Sequence, residues 1–302
     1  MVVRPGAWVA RFTAIRSRRS PTRKQNASST VAPDVGDRRT LDDVESDAAR
    51  LDPSCPHLIT RPFMRQRWED VAFAHWPVPA DLVADLLPSS LVPDLHSGSA
   101  WVSLVAFQMR SLRLTHLPPI PTTSNFAEVN VRTYVIGPDG PGVWFCSLDA
   151  ESFLPVLTAR ALYGLPYCVA DIDDRCDADH DTWTIARRWP DHATGRLAVE
   201  PLEAPADDDL AVFLTARWRL YAGTRVTRVA RIHHESWPLR HARVLDLDDG
   251  LVRAAGFPVE GAHVAHWASG VSVRAAAPTR LRRRNGAPGA DADVVPAGPF
   301  GT

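Results

Sequence analysis

A polar side chain stands at every second position between residues 126 and 135, in the order Glu128, Asn130, Arg132 and Tyr134. Successive side chains of a β-strand point to opposite faces, so this period of two places all four on one face of a predicted strand. We call these four residues the polar row. A carboxylate, an amide, a guanidinium and a phenol on one surface can bind a small polar molecule and move a proton. The same pattern also permits an ordinary solvated face of an antiparallel strand.

Each member of the polar row has its own chemical capacity. Alternate residues on a strand are about 6.6 Å apart, which puts Glu128 and Arg132 about 13 Å apart, too far for an ion pair but suited to a ligand several atoms long. Arg132 could hold a carboxylate or enolate as a charge-assisted donor, and Glu128 could transfer a proton. Asn130 could orient a carbonyl group, and Tyr134 could donate to a developing oxyanion.

Other side chains offer weaker evidence for a site. His75 precedes Trp76 and could lie at the mouth of a pocket, or it could be a half-buried residue with an ordinary packing role. Arg160 and Arg217 fall on apolar faces of predicted helices, where each needs a partner. The acids that we consider as partners are Glu128, Glu151 and Glu235.

Metal-binding patterns are weak in this sequence. Cys168, Cys176 and His180 have a spacing that matches no standard zinc arrangement. His263 and His266 are three apart in a stretch that we expect to be extended, where odd spacing sends side chains to opposite faces. We therefore predict no metal and no cofactor.

Composition excludes several classes of partner. The net charge of −1 gives no basic surface for nucleic acid, and no window reaches the roughly 18 apolar residues of a membrane span. No glycine-rich phosphate loop or Ser-His-Asp grouping stands out. We expect a small-molecule partner that carries a carboxylate or carbonyl, with neither nucleic acid nor a membrane as partner, and a homo-oligomer is compatible with the sequence. Four cysteines without a disulfide framework, and the lack of a secretory signal, predict a cytoplasmic protein.

The chain divides into three predicted regions. Residues 1–58 lack sustained periodicity and begin with a basic, acid-free stretch, so they are predicted to be a disordered N-terminal extension. Residues 59–280 are predicted to form one folded domain, and residues 281–302 a flexible C-terminal tail. The 26 prolines divide the chain into short segments that favour strands over a helical bundle.

Periodicity and turn residues locate the elements of the folded domain. Glycines and prolines in residues 137–142 predict a reversal between two strands. Strands are predicted at residues 68–76, 100–109, 126–134, 143–148, 167–172, 182–188, 196–200, 225–232 and 263–273. Helices are predicted at residues 80–87, 152–163, 207–221 and 247–255.

Several motifs together resemble a known family. They lie in order at residues 61–79, 126–135, 142–152, 213–221 and 233–239. On these motifs residues 61–278 resemble the YqjF-like proteins, a bacterial family with no assigned biochemical activity. The resemblance implies a fold of the acetoacetate-decarboxylase-like superfamily: an α+β, β-rich, strongly curved and largely antiparallel β-barrel with a few peripheral helices and a central cavity. It also implies that the polar row faces inward.

The same resemblance bears on the chemistry. Acetoacetate decarboxylases carry a Gly-x-Pro-Lys-Lys turn whose first lysine forms a Schiff base, and the similar stretch here reads Gly-Leu-Pro-Tyr-Cys at residues 164–168. Tyr167 therefore stands where the lysine would be, and the only lysine of the chain is Lys24. A phenol cannot form an imine, so Schiff-base decarboxylation is excluded if the match holds. The resemblance also relates Glu128 to a family glutamate near that lysine.

Our leading hypothesis is a barrel that binds a small organic acid or carbonyl compound, with lysine-independent acid/base chemistry of a lyase- or isomerase-like kind. In it Glu128 is the catalytic acid/base. The ligand-binding residues are Asn130, Arg132, Tyr134, Tyr167 and His75. The alternative is a non-catalytic ligand-sensing or structural protein in which the polar row is a hydrogen-bonded scaffold.

Overall fold

Most of the chain that the structure describes is β-strand. The computed structural model describes residues 52–120, 123–151, 164–177, 179–223, 226–261 and 264–281. The strands are β1 (Met64–Val78), β2 (Val92–Pro93), β3 (Ala100–Leu114), β4 (Phe126–Gly137), β5 (Gly140–Ala150), β6 (Tyr167–Cys176), β7 (Asp181–Trp189), β8 (Thr194–Pro205), β9 (Arg219–Ala222), β10 (Arg228–His233), β11 (Leu239–Asp248), β12 (Val264–Ala275) and β13 (Thr279–Arg280). The helices are α1 (Ala80–Ala84), α2 (Asp209–Thr215) and α3 (Gly250–Ala254). None of the helices within these ranges has the length and hydrophobicity of a membrane-spanning segment.

Each strand predicted from periodicity overlaps an observed strand, and the predicted helices at residues 80–87 and 247–255 overlap α1 and α3. The reversal predicted at residues 137–142 is also confirmed. β4 ends at Gly137 and β5 begins at Gly140, and the two glycines are paired across the hairpin. Gly140 has a φ of +110°, a conformation that favours glycine, which explains the residue type at this turn.

The helix predicted at residues 207–221 is wrong in its second half. α2 begins after Asp208, whose side chain accepts a hydrogen bond from the Ala211 amide at 3.0 Å, and ends at Thr215. The following residues form β9, which pairs with β5 and β10, so strand pairing prevails over the helical spacing of Trp218 and Tyr221. The predicted helix at residues 152–163 lies outside the described residues. The predicted domain limits stay a prediction.

Hydrogen bonding joins nine strands into a closed ring. Their order is β5-β6-β7-β8-β11-β12-β1-β3-β4, and the pairing of β4 with β5 closes the ring. Every contact within it is antiparallel except the short parallel pairing of β5 with β6. This confirms the predicted β-rich, strongly curved and largely antiparallel architecture.

A second, smaller ring shares five of these strands. The free edge of β5 is divided between β6 and β9, and that of β12 between β11 and β10. Because β9 also pairs with β10, the strands β12-β1-β3-β4-β5-β9-β10 form a seven-strand ring. Each of the five shared strands therefore has one face toward the nine-strand ring and the other toward the seven-strand ring. Both faces of these strands are thus covered.

The two rings enclose different cores. The nine-strand ring is filled by an apolar cluster whose buried members include residues of six of its strands, with Trp183, Leu104 and Val131 fully buried. Partly buried residues of β5, β11 and β12 pack against this cluster. The seven-strand ring is filled by a second cluster that includes Phe213 and Leu214 of α2. A third cluster continues along the same face of β1, β3 and β4 and includes Phe73 and Phe107.

One ion pair is buried within the nine-strand ring. Arg187 on β7 binds Asp149 on β5 through two hydrogen bonds, Nε to Oδ1 at 2.6 Å and Nη2 to Oδ2 at 2.8 Å. Ser147 accepts a further bond from Nη2 at 3.2 Å. The Asp149 side chain is fully buried and that of Arg187 nearly so. Removing either residue would leave the other one charged in an apolar interior. The resulting loss in the free energy of unfolding is far larger than the loss from removing an exposed ion pair.

We expect Arg187→Met to lower the free energy of unfolding by about 3 to 5 kcal/mol, because Asp149 would remain buried without its cation. The adjacent Arg188 pairs with Asp171 on the surface, so Arg188→Met serves as the control. This variant should lower the free energy of unfolding by less than about 1 kcal/mol. Urea denaturation of the three proteins measures both values. Equal losses in the two variants would show that the buried pair does not stabilise the ring.

Candidate functional site

The polar row is buried. The relative exposure is 3% for Glu128, 3% for Asn130, 9% for Arg132 and 0% for Tyr134. β4 lies between β3 and β5 in the shared part of the sheet, so both of its faces are covered. The interpretation of the row as a solvated face is therefore wrong.

The two faces of β4 have opposite character. Val129 and Val131 point into the apolar core of the nine-strand ring. The polar row points the other way, toward the clusters that include α2 and β9, and Tyr134 is itself part of the core of the seven-strand ring. The row is thus enclosed on the side of the smaller ring.

Glu128 contacts Tyr167, the residue that the sequence resemblance relates to the Schiff-base lysine of acetoacetate decarboxylases. Gly164 has a φ of +72° in the turn before β6, and β6 opens with Tyr167, paired with Leu148 of β5. The Tyr167 hydroxyl donates to Glu128 Oε2 at 2.9 Å. Burial raises the pKa of Glu128 to about 7, although hydrogen bonds from Tyr167 and Asn130 oppose the rise, and the charge of Asp149 adds to it.

Asn130 links the carboxylate to the rest of the row. Its amide group hydrogen-bonds to Glu128, and its Oδ1 is buried with no hydrogen-bond partner among the residues that the structure describes. The sequence suggested Asn130 as a donor to a carbonyl. In the structure the Asn130 amide nitrogen donates its hydrogen bond to Glu128. The Oδ1 atom is therefore available to accept a hydrogen bond from a hydroxyl or an enol.

Arg132 is a buried cation held mainly by uncharged groups. Its Nη2 donates to the main-chain oxygen of Leu214 in the last turn of α2 at 3.2 Å. Its guanidinium carbon lies 5.7 Å from the centroid of the Phe73 ring and 5.8 Å from that of Tyr134. Within the described part of the chain, Nε has no hydrogen-bond partner. A guanidinium with a free donor in a desolvated place is suited to a carboxylate.

Tyr134 and His75 belong to one chain of hydrogen bonds. The hydroxyl groups of Tyr134 and Ser103 are 2.6 Å apart, and Ser103 Oγ is 2.6 Å from His75 Nδ1. His75 Nε2 is in turn 3.2 Å from His266 Nδ1. Burial lowers the pKa of His75 well below its usual value and that of His266 to about 4, so both imidazoles are neutral near pH 7. His75 is thus fully buried within this chain.

Arg217 lies beside the polar row but is neutralised. Its Nη1 pairs with Asp94, and its Nε donates to the Phe213 oxygen at 2.7 Å. Its guanidinium carbon is 4.9 Å from the Tyr134 ring centroid. None of the acids suggested by the sequence is its partner, because the loop before β3 brings Asp94 to it. Arg160 lies outside the described residues.

Three residues near the polar row were not proposed for it from the sequence: Ser103, Asp94 and His266, the last of which was considered only as a metal ligand. Ser103 was the one with a usable signal, since it and Gln108 are the two polar residues in the otherwise apolar run 100–109. Register places it opposite His75 on β1 and opposite Arg132 on β4. Asp94 and His266 lie near the polar row because segments that are distant in sequence contact each other. Local periodicity does not predict such contacts.

The metal-ligating residues of the described chain assemble differently from the sequence patterns. Asp208, His241 and His266 each offer a ligand atom, and these atoms all lie within 4.8 Å of one another. Cys168, Cys176 and His180 do not form such a group among the described residues, and His263 lies outside them. The sequence-based expectation of no metal stays a prediction.

Sequence comparison places the chain among proteins without an assigned role. The model of the DUF2071 family, described as an uncharacterised conserved protein, matches residues 65–272. The uncharacterised protein YqjF of Bacillus subtilis (strain 168) is 40% identical over 183 residues, which cover 59% of this chain and 76% of YqjF.

Solved structures share the fold at low sequence identity. The enduracididine biosynthesis enzyme MppR complexed with pyruvate has a TM-score of 0.55 at 14% identity, and the match covers 75% of this chain and 93% of MppR. An acetoacetate decarboxylase-like enzyme from Sphingomonas wittichii RW1 has a TM-score of 0.52 at 13% identity, with 76% of this chain and 98% of that one covered. Acetoacetate decarboxylase from Legionella pneumophila has the same score and identity over 79% and 95% of the chains. The acetoacetate-decarboxylase-like fold implied by the sequence is thereby confirmed, and its central cavity stays a prediction.

The pKa of Glu128 predicts how stability depends on pH. Its folded-state pKa of about 7 exceeds the ordinary value of 4.5, so the folded chain binds more protons than the unfolded chain between these values. The protonated Glu128 carboxyl group therefore makes its full contribution to stability below the unfolded-state pKa of 4.5. That contribution is lost as the pH rises through the folded-state pKa of about 7. A difference of one in pKa corresponds to about 1.4 kcal/mol, so the loss between pH of about 5 and about 8 should be roughly 2 to 3 kcal/mol.

We expect Glu128→Gln to lack this part of the pH dependence, because glutamine does not titrate and still offers an oxygen to Tyr167. Urea unfolding of both proteins at the two pH values gives the difference directly, and the other titrating groups cancel between them. Identical pH dependence in the two proteins would show that Glu128 does not titrate in this range.

Proposed function

This chain belongs to the DUF2071 family of uncharacterised conserved proteins, and we propose that it binds a small organic acid, with a carbonyl next to or near the carboxylate, at the polar row. In this proposal Arg132 binds the carboxylate, and Glu128 transfers a proton to or from the ligand. Tyr134, Asn130 and Tyr167 orient the ligand and the carboxyl group. The chemistry is acid/base catalysis of a lyase- or isomerase-like kind.

The observation that carries the proposal is the state of Arg132. Among the described residues no carboxylate lies within ion-pair distance of it, and its Nε is buried without a partner. The internal segments outside the described ranges contain no aspartate or glutamate. A buried arginine is costly unless an anion compensates it. A carboxylate ligand would supply both the charge and the acceptor.

The local charge balance supports an anionic ligand. Two arginines, Arg132 and Arg217, lie against the ring of Tyr134, and Asp94 neutralises one of them. With its pKa near 7, Glu128 is only partly ionised at neutral pH. The enclosed region thus carries an excess of positive charge that a single carboxylate would balance.

A 2-keto acid is the ligand class that these groups suit. Its carboxylate fits the guanidinium of Arg132, and its carbonyl oxygen can accept from the Tyr134 hydroxyl. MppR, which shares the fold, was solved with pyruvate, a 2-keto acid. The similarity to MppR concerns the fold alone. The reason to propose a 2-keto acid as ligand of this chain is the set of charges around Arg132.

The proposed chemistry is proton transfer next to the carbonyl. A base with a pKa near 7 accepts a proton at neutral pH and can return it. Glu128 would take a proton from the carbon beside the carbonyl. The electron pair of that C–H bond would form a C=C bond, and the π electron pair of the C=O bond would move to the carbonyl oxygen to form an enolate. Reprotonation by Glu128 completes the cycle. No amine is needed, consistent with a chain whose only lysine is Lys24.

A non-catalytic role is the second candidate, and one observation favours it. The last turn of α2 has carbonyl groups without helical partners, and Leu214 uses one of them to accept from Arg132. Aromatic faces of Phe73 and Tyr134 also contact this cation. In such a scaffold the polar row would bind a ligand without turning it over, or would serve only to hold α2 in place.

The cytoplasmic location belongs to the same proposal, since a metabolite-binding protein of this kind would meet 2-keto acids there. Independence from nucleic acid and membranes, and a homo-oligomeric state, stay predictions from the sequence.

We expect the wild-type chain to bind pyruvate, and Arg132→Met to weaken binding about 10- to 100-fold, the range that corresponds to a charge-assisted hydrogen bond of roughly 1.5 to 3 kcal/mol. Isothermal titration calorimetry measures both affinities. Arg175→Met is the matched control because Arg175 is an exposed arginine on β6, and it should bind as the wild type does.

Methyl pyruvate provides a test that needs no variant. The ester keeps the carbonyl but lacks the negative charge, so its affinity for the wild type should fall by a similar factor. Equal binding of acid and ester, or equal binding by wild type and Arg132→Met, would exclude Arg132 as the carboxylate-binding residue.

Proton transfer is tested by isotope exchange. In deuterated water the wild type should exchange the methyl protons of pyruvate, and Glu128→Gln should slow that exchange at least about 100-fold, the lower range for a general base. Proton NMR follows the loss of the methyl signal. Equal rates would remove Glu128 from the reaction, and binding of pyruvate without exchange by the wild type would favour the non-catalytic role.

A further inference from the structure

Contrary to the sequence-based expectation of no metal, we propose that Asp208, His241 and His266 form a binding site for a divalent transition-metal ion such as Zn²⁺, with at least one coordination position open to water or a small molecule. The proposal is independent of the keto-acid function, since it rests on a different set of side chains. We call these three residues the Asp-His-His cluster.

Three separate segments bring the Asp-His-His cluster together. His241 on β11 and His266 on β12 are directly paired across the sheet. Asp208 lies at the N-terminus of α2, where one carboxylate oxygen, Oδ1, accepts from the Ala211 amide. The other oxygen, Oδ2, is 3.8 Å from His241 Nε2. The helix cap thus fixes the aspartate so that its second oxygen faces the imidazoles.

The buried edge of His266 provides independent support for a ligand at this place. The residue is 1% exposed, and its Nε2 has no hydrogen-bond partner among the described residues. Its other nitrogen, Nδ1, is already engaged by His75, so Nε2 is the atom available to the cluster. A buried polar atom without a partner is costly in a folded protein, and a metal ion would satisfy it.

The donor set suits a transition metal. Two imidazoles and one carboxylate are typical ligands of Zn²⁺ at distances of about 2.0 to 2.2 Å. The ligand atoms lie within 4.8 Å of one another, so a bound ion would draw them closer by small side-chain rotations. Asp208 is exposed and His241 is half-exposed, so small rotations of these two are feasible. Three protein ligands and access to solvent are features of open rather than closed zinc sites.

The surrounding hydrogen bonds are those expected around a metal-bound histidine. If His266 Nε2 binds the ion through its lone pair, its Nδ1 must carry the proton and donate to His75 Nε2. His75 then carries its proton on Nδ1 and donates to Ser103, and Ser103 can donate to Tyr134. Every bond in the chain has one donor and one acceptor. The Tyr134 hydroxyl proton is left to point toward a further acceptor, which connects the cluster to the polar row.

Zn²⁺ titration of the full chain, stripped of metal with EDTA, tests the proposal. The wild type should bind one Zn²⁺ per chain in calorimetry, and Co²⁺ in its place should give visible absorption bands of a site with nitrogen and oxygen ligands. Asp208→Asn and His241→Gln should each weaken Zn²⁺ binding by at least about tenfold. His192→Gln, a change of an exposed histidine outside the cluster, should leave binding unchanged.

The two ligand variants are chosen to preserve the fold. Asparagine is as good an N-cap as aspartate, so α2 keeps its hydrogen bond to the Ala211 amide, and His241 is at the surface of the cluster. Circular dichroism of each variant confirms that it is folded. Failure of the wild type to bind Zn²⁺, or equal binding by wild type and both ligand variants, would overturn the proposal. Either result would leave the pyruvate measurements unaffected.

Discussion

Burial of β4 on both faces is the constraint on which the rest of the site depends. A strand covered by two cores cannot leave its polar side chains to water, so each needs a partner within the protein. Thr133 meets this need through the Trp101 oxygen, and Glu128 through Tyr167. Asn130 Oδ1 and Arg132 Nε do not, among the described residues. These unsatisfied atoms are the physical basis for proposing a ligand at the polar row.

Comparison of three buried arginines makes the same point from electrostatics. Arg187 is compensated by Asp149 in the nine-strand ring, and Arg217 by Asp94 beside α2. Arg132 has a main-chain oxygen and two aromatic faces instead. Two of the three follow the rule that a buried charge is paired. The exception lies on the strand that also carries a carboxyl group with a pKa near 7, which is why we propose the functional site there.

Much of the fold could be predicted from local patterns, and the misses have physical reasons. Alternation and turn glycines were sufficient for the β4–β5 hairpin, because both signals are local. β11 was missed because arginines and aspartates interrupt its alternation and most of it is only partly buried. The predicted helix at residues 207–221 was too long because its second half pairs with β5 and β10, and such pairing can override helical spacing. His241 lies on the missed strand β11, so local sequence patterns did not predict the Asp-His-His cluster.

The sequence by itself determined the chemical types in the polar row, their place on one face of a strand, the position of the single lysine, Lys24, far from the row along the chain, and the family. These properties depend on residue identity and on periods of a few residues. Only the tertiary structure decided that the row faces the smaller ring under α2, that Arg132 has no acid beside it among the described residues, and that His75 connects to His266. Such contacts join segments far apart in the chain, and they depend on strand register and on which face of the shared sheet each ring covers.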